Sequence, residues 1–107
     1  MEKESSPKRG CRRYPADLET IIYQGGGTAR GKIVQISRGG CLLKLPPRAA
    51  TQGVEMRLSF RLGADLPNIN CKGEALYYVA DQGVGIAFTE ISVYQQDLIT
   101  SYFEKQP

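Results

Sequence analysis

Residues 54–62 read Val-Glu-Met-Arg-Leu-Ser-Phe-Arg-Leu. Large apolar side chains fall at Val54, Met56, Leu58, Phe60 and Leu62, with Glu55, Arg57, Ser59 and Arg61 between them. A helix would scatter these apolar side chains around its axis, so alternation this regular requires a strand. One face of that strand must lie against a core and the other in water. A strand with a buried face needs partners, and the rest of the chain is written to supply them.

Ala16 to Tyr23 places Ala16, Leu18, Thr20 and Ile22 on one side and Asp17, Glu19 and Ile21 on the other. Gly25-Gly26-Gly27 is a hairpin turn, followed by a second strand over Thr28–Ile36. A tight Ser-Arg-Gly-Gly turn leads to a third strand, Cys41–Leu45, stopped by Pro46-Pro47. Two more strands are expected over Ile69–Val79 and Val84–Phe88, separated by the Asp81-Gln82-Gly83 turn. The period then changes. Ser92-Val-Tyr-Gln95 has the form of a capping box, and Tyr94, Leu98, Ile99, Tyr102 and Phe103 form one face of a helix. The expected fold is all-β with a terminal helix: a small six-stranded antiparallel β-barrel closed by a C-terminal α-helix over 92–105. Residues 1–7 are polar and expected to be a disordered tail. Residues 8–107 are expected to form a single domain that begins with a basic arm at 8–13.

Charge narrows the function. Residues 1–13 carry five cations and two acids, while residues 14–107 carry nine of each sign, so the net +3 lies in the arm. A basic arm on a neutral body suits local capture of an anion better than contact with duplex DNA. Nine aromatic residues without tryptophan provide no interleaved stacking platform for single-stranded nucleic acid, so no nucleic acid polymer is expected as a partner. The chain has no histidine, and its eleven acidic residues show no paired spacing, which disfavours an enzyme and a metal site. Of three cysteines, Cys41 and Cys71 lie in strand-like runs and read as small buried hydrophobes, whereas Cys11 sits among arginines that favour its thiolate. No apolar run is long enough to span a bilayer and no signal-peptide core follows the N-terminus, so a cytoplasmic location without membrane insertion is expected.

Two stretches have the chemistry of an anion site. Arg9 and Arg13, four residues apart, can each present a planar fork to phosphate oxygens. The Gln35-Ile-Ser-Arg-Gly-Gly40 turn offers the Ser37 hydroxyl, with Gly39 and Gly40 allowing close approach to the backbone. An RxxxR segment followed by Tyr14-Pro15, a second strand ending in a turn matching [D/N]xSxxG at Ser37 and Gly40, and a late Val84-Gly-Ile-Ala-Phe88 strand together resemble the PilZ domain family over about residues 8–105. The resemblance implies a six-stranded barrel that acts as a non-catalytic receptor for cyclic di-GMP, with no cofactor. It implies that Arg9 and Arg13 hold phosphates and guanine edges, and that Gln35, Ser37, Gly39 and Gly40 hold guanine and ribose. Tyr77 is the candidate stacking plane for a guanine ring, and Lys8 and Arg12 are candidates for further phosphates. The family position usually held by Asp or Asn is Gln35 here, which loses a charged acceptor. The arm is expected to order over the barrel around the ligand and alter the surface met by an unidentified downstream protein. The alternative reading is a PilZ-like adaptor that no longer binds the nucleotide.

Overall fold

The computed structural model describes residues 12–45, 53–79 and 81–105. The expected 1–7 tail, Lys8, Arg9 and Cys11 lie outside the described residues. Six strands precede one helix: β1 (Tyr14–Gln24), β2 (Gly27–Ile36), β3 (Gly40–Lys44), β4 (Glu55–Arg61), β5 (Asn68–Val79), β6 (Gly83–Glu90) and α1 (Val93–Glu104). The strands form a closed antiparallel barrel in the order β1-β2-β3-β6-β5-β4. The chain therefore makes two three-stranded meanders joined at two seams, β3 with β6 and β1 with β4. Closure pairs the strand edges that a flat sheet of this composition would leave open.

Alternation along β4 decides the interior as expected: Met56, Leu58, Phe60 and Leu62 are all buried. Leu18, Ile22, Ile33, Leu43, Ile69 and Ile86 meet them from the other strands. Burial of each such side chain contributes roughly 1.5–3 kcal/mol. Thr20 is buried on the same face, and its hydroxyl donates to the Leu18 carbonyl at 2.9 Å, so the polar atom is satisfied within its own strand. Cys41 and Cys71 are buried free thiols, as the strand pattern predicts. Burial pushes the Cys71 thiol up to about 12 and that of Cys41 higher still, so neither forms a thiolate at neutral pH.

Two sequence expectations shift. β1 begins at Tyr14, two residues ahead of Ala16, and takes in Pro15. Proline is tolerated there because the β1–β2 register breaks between Pro15 and Leu18. On α1, Ile99 is fully buried, with Leu98, Tyr102 and Phe103 packed around it, but Tyr94 stands 65% exposed. At about 100° per residue Tyr94 lies roughly 140° around the helix from Ile99, outside the arc that faces the barrel. The capping box is present: Ser92 Oγ accepts from the Gln95 amide at 3.1 Å, and Gln95 Oε1 accepts from the Ser92 amide at 3.4 Å.

The β3–β6 seam depends on one small residue. Gly40 pairs with Ala87, and a Cβ built at Gly40 would overlap the Ile86 carbonyl oxygen. Gly40→Ala is expected to lower stability by about 1–3 kcal/mol, as overpacking does, measured by urea unfolding. Ser92→Ala is expected to cost about 1 kcal/mol through loss of the cap, with loss of helical ellipticity before strand signal on heating.

Candidate functional site

One row of paired residues runs outward-facing across five strands near the end of the barrel where Arg13 enters. Pro15 pairs with Gln35, Gln35 with Leu42, Leu42 with Gly85, and Gly85 with Tyr77. Three register irregularities adjoin this row: Pro15/Leu18 in β1–β2, Ile33/Gln35 in β2–β3, and Ala75/Tyr77 in β5–β6. Each inserts a residue that breaks strict alternation and re-aims the side chains beyond it. In β2 the result is that Ile33 and Ile36, three apart, both point inward while Gln35 faces out. In β5, Ala75 is buried and Leu76, Tyr77 and Tyr78 are all exposed.

The row floors a cavity of about 330 Å³. Its lining includes Arg13, Gln35, Ser37, Tyr77 and Gln82 among polar residues and Ile36, Leu42, Leu76, Val79 and Ile86 among apolar ones. The Tyr77 ring lies against Gly85, where a Cβ would overlap the ring carbons. Absence of a side chain at Gly85 therefore sets the depth at which the ring sits. The combination of a flat aromatic, an apolar floor and a few polar groups suits a planar, polar-edged ligand. Among the described residues neither Arg13 nor Gln35 has a hydrogen-bond or ion-pair partner for its side chain. Both are therefore available to a ligand.

The Ser37–Gly40 turn closes on itself at the cavity rim. The Ser37 amide donates to the Gly40 carbonyl at 2.8 Å, its hydroxyl donates to the same carbonyl at 3.4 Å, and the Gly39 amide donates to Ser37 Oγ at 3.2 Å. Ser37 is buried, and its hydroxyl shapes the turn. The Phe88 amide donates to the Gly39 carbonyl at 2.9 Å, which ties the turn to β6.

Of the residues singled out in the sequence, the fold brings Arg13, Gln35, Ser37, Gly40 and Tyr77 to one cavity. Gly39 belongs to the turn but not to the cavity wall. Arg12 is directed elsewhere: its Nη1 meets Glu104 Oε2 of α1 at 3.3 Å. Lys8 and Arg9 lie outside the described residues. Tyr14 also donates to Glu104, at 2.7 Å, and its ring stacks on Phe103 at 5.3 Å. That hydrogen bond, ahead of burial, raises the Tyr14 phenol above its ordinary value, so on the alkaline side the tether is lost as pH rises through the raised value. Sequence patterning missed Leu42, Leu76, Val79 and Gln82 as cavity residues. A usable signal was present in β2, where isoleucines three apart cannot both face inward without a bulge.

A second, wider groove of about 610 Å³ lies between Tyr23, Arg57, Lys72 and the start of α1. Several of its polar groups are already engaged: Lys72 meets Glu90 at 3.2 Å, and Gln95 Nε2 donates to the Asn70 carbonyl at 3.2 Å. Among the described residues no group of acidic, cysteine or histidine side chains is arranged to hold a metal ion, and no helix is long and apolar enough to cross a membrane.

Solved structures with the same fold include the inhibitor of motility MotI/DgrA of Bacillus subtilis, at 21% identity and a TM-score of 0.77 over 92% of this chain. The PlzA protein of Borreliella burgdorferi, solved in complex with c-di-GMP, matches at 23% identity and a TM-score of 0.60 over 79% of this chain. The PilZ domain of CeSA from a cellulose-synthesizing bacterium matches at 20% identity and a TM-score of 0.61, covering 87% of this chain and 96% of that domain. This chain spans 50% of MotI and 32% of PlzA. No curated protein sequence matches it. The sequence model of the PilZ domain matches residues 7–105, nearly the whole chain, and the closed six-stranded barrel with its C-terminal helix agrees: the chain belongs to the PilZ domain family.

Proposed function

We propose that this protein is a non-catalytic receptor for cyclic di-GMP, acting in the cytoplasm. The observation that carries the reading is the convergence of Arg13, Gln35 and Tyr77 on one cavity beside the Ser37–Gly40 turn. Membership of the PilZ family and the c-di-GMP complex of its structural relative PlzA support the choice of ligand. In this reading Arg13, together with Arg9, forks onto phosphate oxygens and guanine edges. Gln35 accepts from or donates to a guanine edge, and the purine lies against the Tyr77 ring and the Leu42–Leu76 wall. The Ser37–Gly40 turn forms the rim beside the ribose–phosphate, with Ser37 and Gly39 holding its shape and Gly40 seating it against β6. Lys8 contributes charge to the same ligand, whereas Arg12 serves the helix. Ordering of the 8–13 arm around the nucleotide changes the surface presented to a downstream protein.

A second reading has one observation in its favour. Gln35 stands where the family usually carries a short acidic or amide residue, and its uncharged amide makes a weaker bond to a guanine edge than a carboxylate does. A PilZ adaptor that works by protein contact alone is that alternative.

Isothermal titration with cyclic di-GMP separates the two. The wild-type protein is expected to bind, and Arg13→Ala to weaken binding about tenfold or more, since a charge-assisted bond contributes about 1.5–3 kcal/mol. No binding by the wild type, or equal binding by Arg13→Ala, rules out the receptor reading as stated. Gln35→Asp is expected to tighten binding about fivefold by restoring a charged acceptor. Binding that exists only in the Gln35→Asp variant identifies the adaptor.

A further inference from the structure

Helix α1 grips both rims of the cavity, and the groups that do so are not themselves in the cavity wall. At one rim, Arg38 follows cavity-lining Ser37 in the turn. Its guanidinium turns outward to the helix, donating through Nη1 to Asp97 Oδ1 at 2.9 Å and to Thr100 Oγ1 at 3.0 Å. Gln96 Nε2 donates to the Arg38 carbonyl at 2.9 Å. The backbone and the side chain of a single turn residue are thus both fixed to α1. At the other rim, Arg12 and Tyr14 flank cavity-lining Arg13 and both reach Glu104. Alternate residues of an extended segment face opposite ways, so two of them hold the helix while the third faces the ligand space.

We propose that Arg38 is a positioning residue for the ligand: its latch to Gln96, Asp97 and Thr100 sets the pose of the Ser37–Gly40 turn, and α1 is thereby coupled to occupancy of the cavity. The proposal rests on the nucleotide-binding reading above and assigns a role to a residue that makes no contact with the cavity. Turn geometry explains why one residue can do this. The local bonds of the turn use the Ser37 and Gly39 amides and the Gly40 carbonyl, leaving the Arg38 carbonyl to Gln96. Without the latch the turn keeps its internal bonds but is no longer held against the helix, so the ligand must order it on binding. Coupling of this kind is reciprocal, so a ligand that fixes the turn must also steady α1.

The test compares wild type with Arg38→Ala, Arg38→Lys, Asp97→Asn and the Arg38→Ala/Asp97→Asn double variant, each first shown to be folded by its melting curve. Without ligand, hydrogen exchange at the Ser37 and Gly39 amides is expected to rise about tenfold in Arg38→Ala, the size of losing one to two net hydrogen bonds, and about threefold in Asp97→Asn, which loses only the exposed ion pair. Exchange at the core amides Leu58 and Phe60 stays unchanged, and Arg38→Lys, which keeps the charge, falls between. With cyclic di-GMP, affinity is expected to drop about tenfold in Arg38→Ala. The double variant is expected to lose no more than Arg38→Ala alone, the sign of one shared interaction. The wild-type helix gains protection over Gln96–Glu104 on binding, and the variants lose that gain. Unchanged exchange at the turn, or a loosened turn with unchanged affinity and unchanged helix protection, overturns the proposal. A wild type that fails to bind removes the nucleotide reading, while the ligand-free exchange still decides the latch.

Discussion

The rest of the structure depends on how closely β3 can approach β6. Gly40 admits the Ile86 carbonyl into space a side chain would fill, and the register of the seam follows from that contact. Inward, the register pairs Cys41 with Ile86 in the core; outward, it pairs Leu42 with Gly85 on the cavity floor. A slip by one residue would exchange the two faces, turning the Leu42 side chain into the packed interior and the Cys41 side chain outward. Core and cavity are therefore two sides of one constraint.

Much of the fold was legible because burial acts on alternate residues and turns need particular chemistry. The Val54–Leu62 run, the glycine hairpin and the capping box each declare a local structure without reference to the rest of the chain. The site was legible only in part. Arg13, Gln35, Ser37, Gly40 and Tyr77 were identifiable by chemical type and by family resemblance, but of the bulges that aim them only the one in β2 left a signal, in its isoleucines three apart. A bulge arises from the competition between two neighbouring strands for register, and that competition is absent from a single strand read alone. Arg12 shows the other limit. Beside Arg13 in sequence and identical in chemistry, it faces the other way and pairs with a residue at position 104.

The helix is more than a plug for the barrel. Ile99 anchors it in the core, and its polar residues Gln96, Asp97, Thr100 and Glu104 make directed bonds to segments flanking the cavity. The ion pairs among these are exposed and contribute little individually, on the order of 0–1 kcal/mol each. Their value lies in direction: they reference two loops of distant sequence to the same rigid element.

Two meanders joined at two seams also set a timetable. Within each meander, neighbouring strands are close in sequence and pair readily. The seams join residues such as Cys41 with Ile86 and Ile22 with Leu58, and contacts so far apart in the chain bear the largest loop-closure cost and limit the folding rate. Arg13, residues 35–37 and 40–42, residues 76–77 and residues 85–86 come together around the cavity only after the β3–β6 seam has formed. A nascent or partly opened chain therefore has no cavity to offer. Whatever fills that space selects molecules whose seam is complete and shifts the folding equilibrium toward them, so occupancy and integrity of the barrel are read as one quantity.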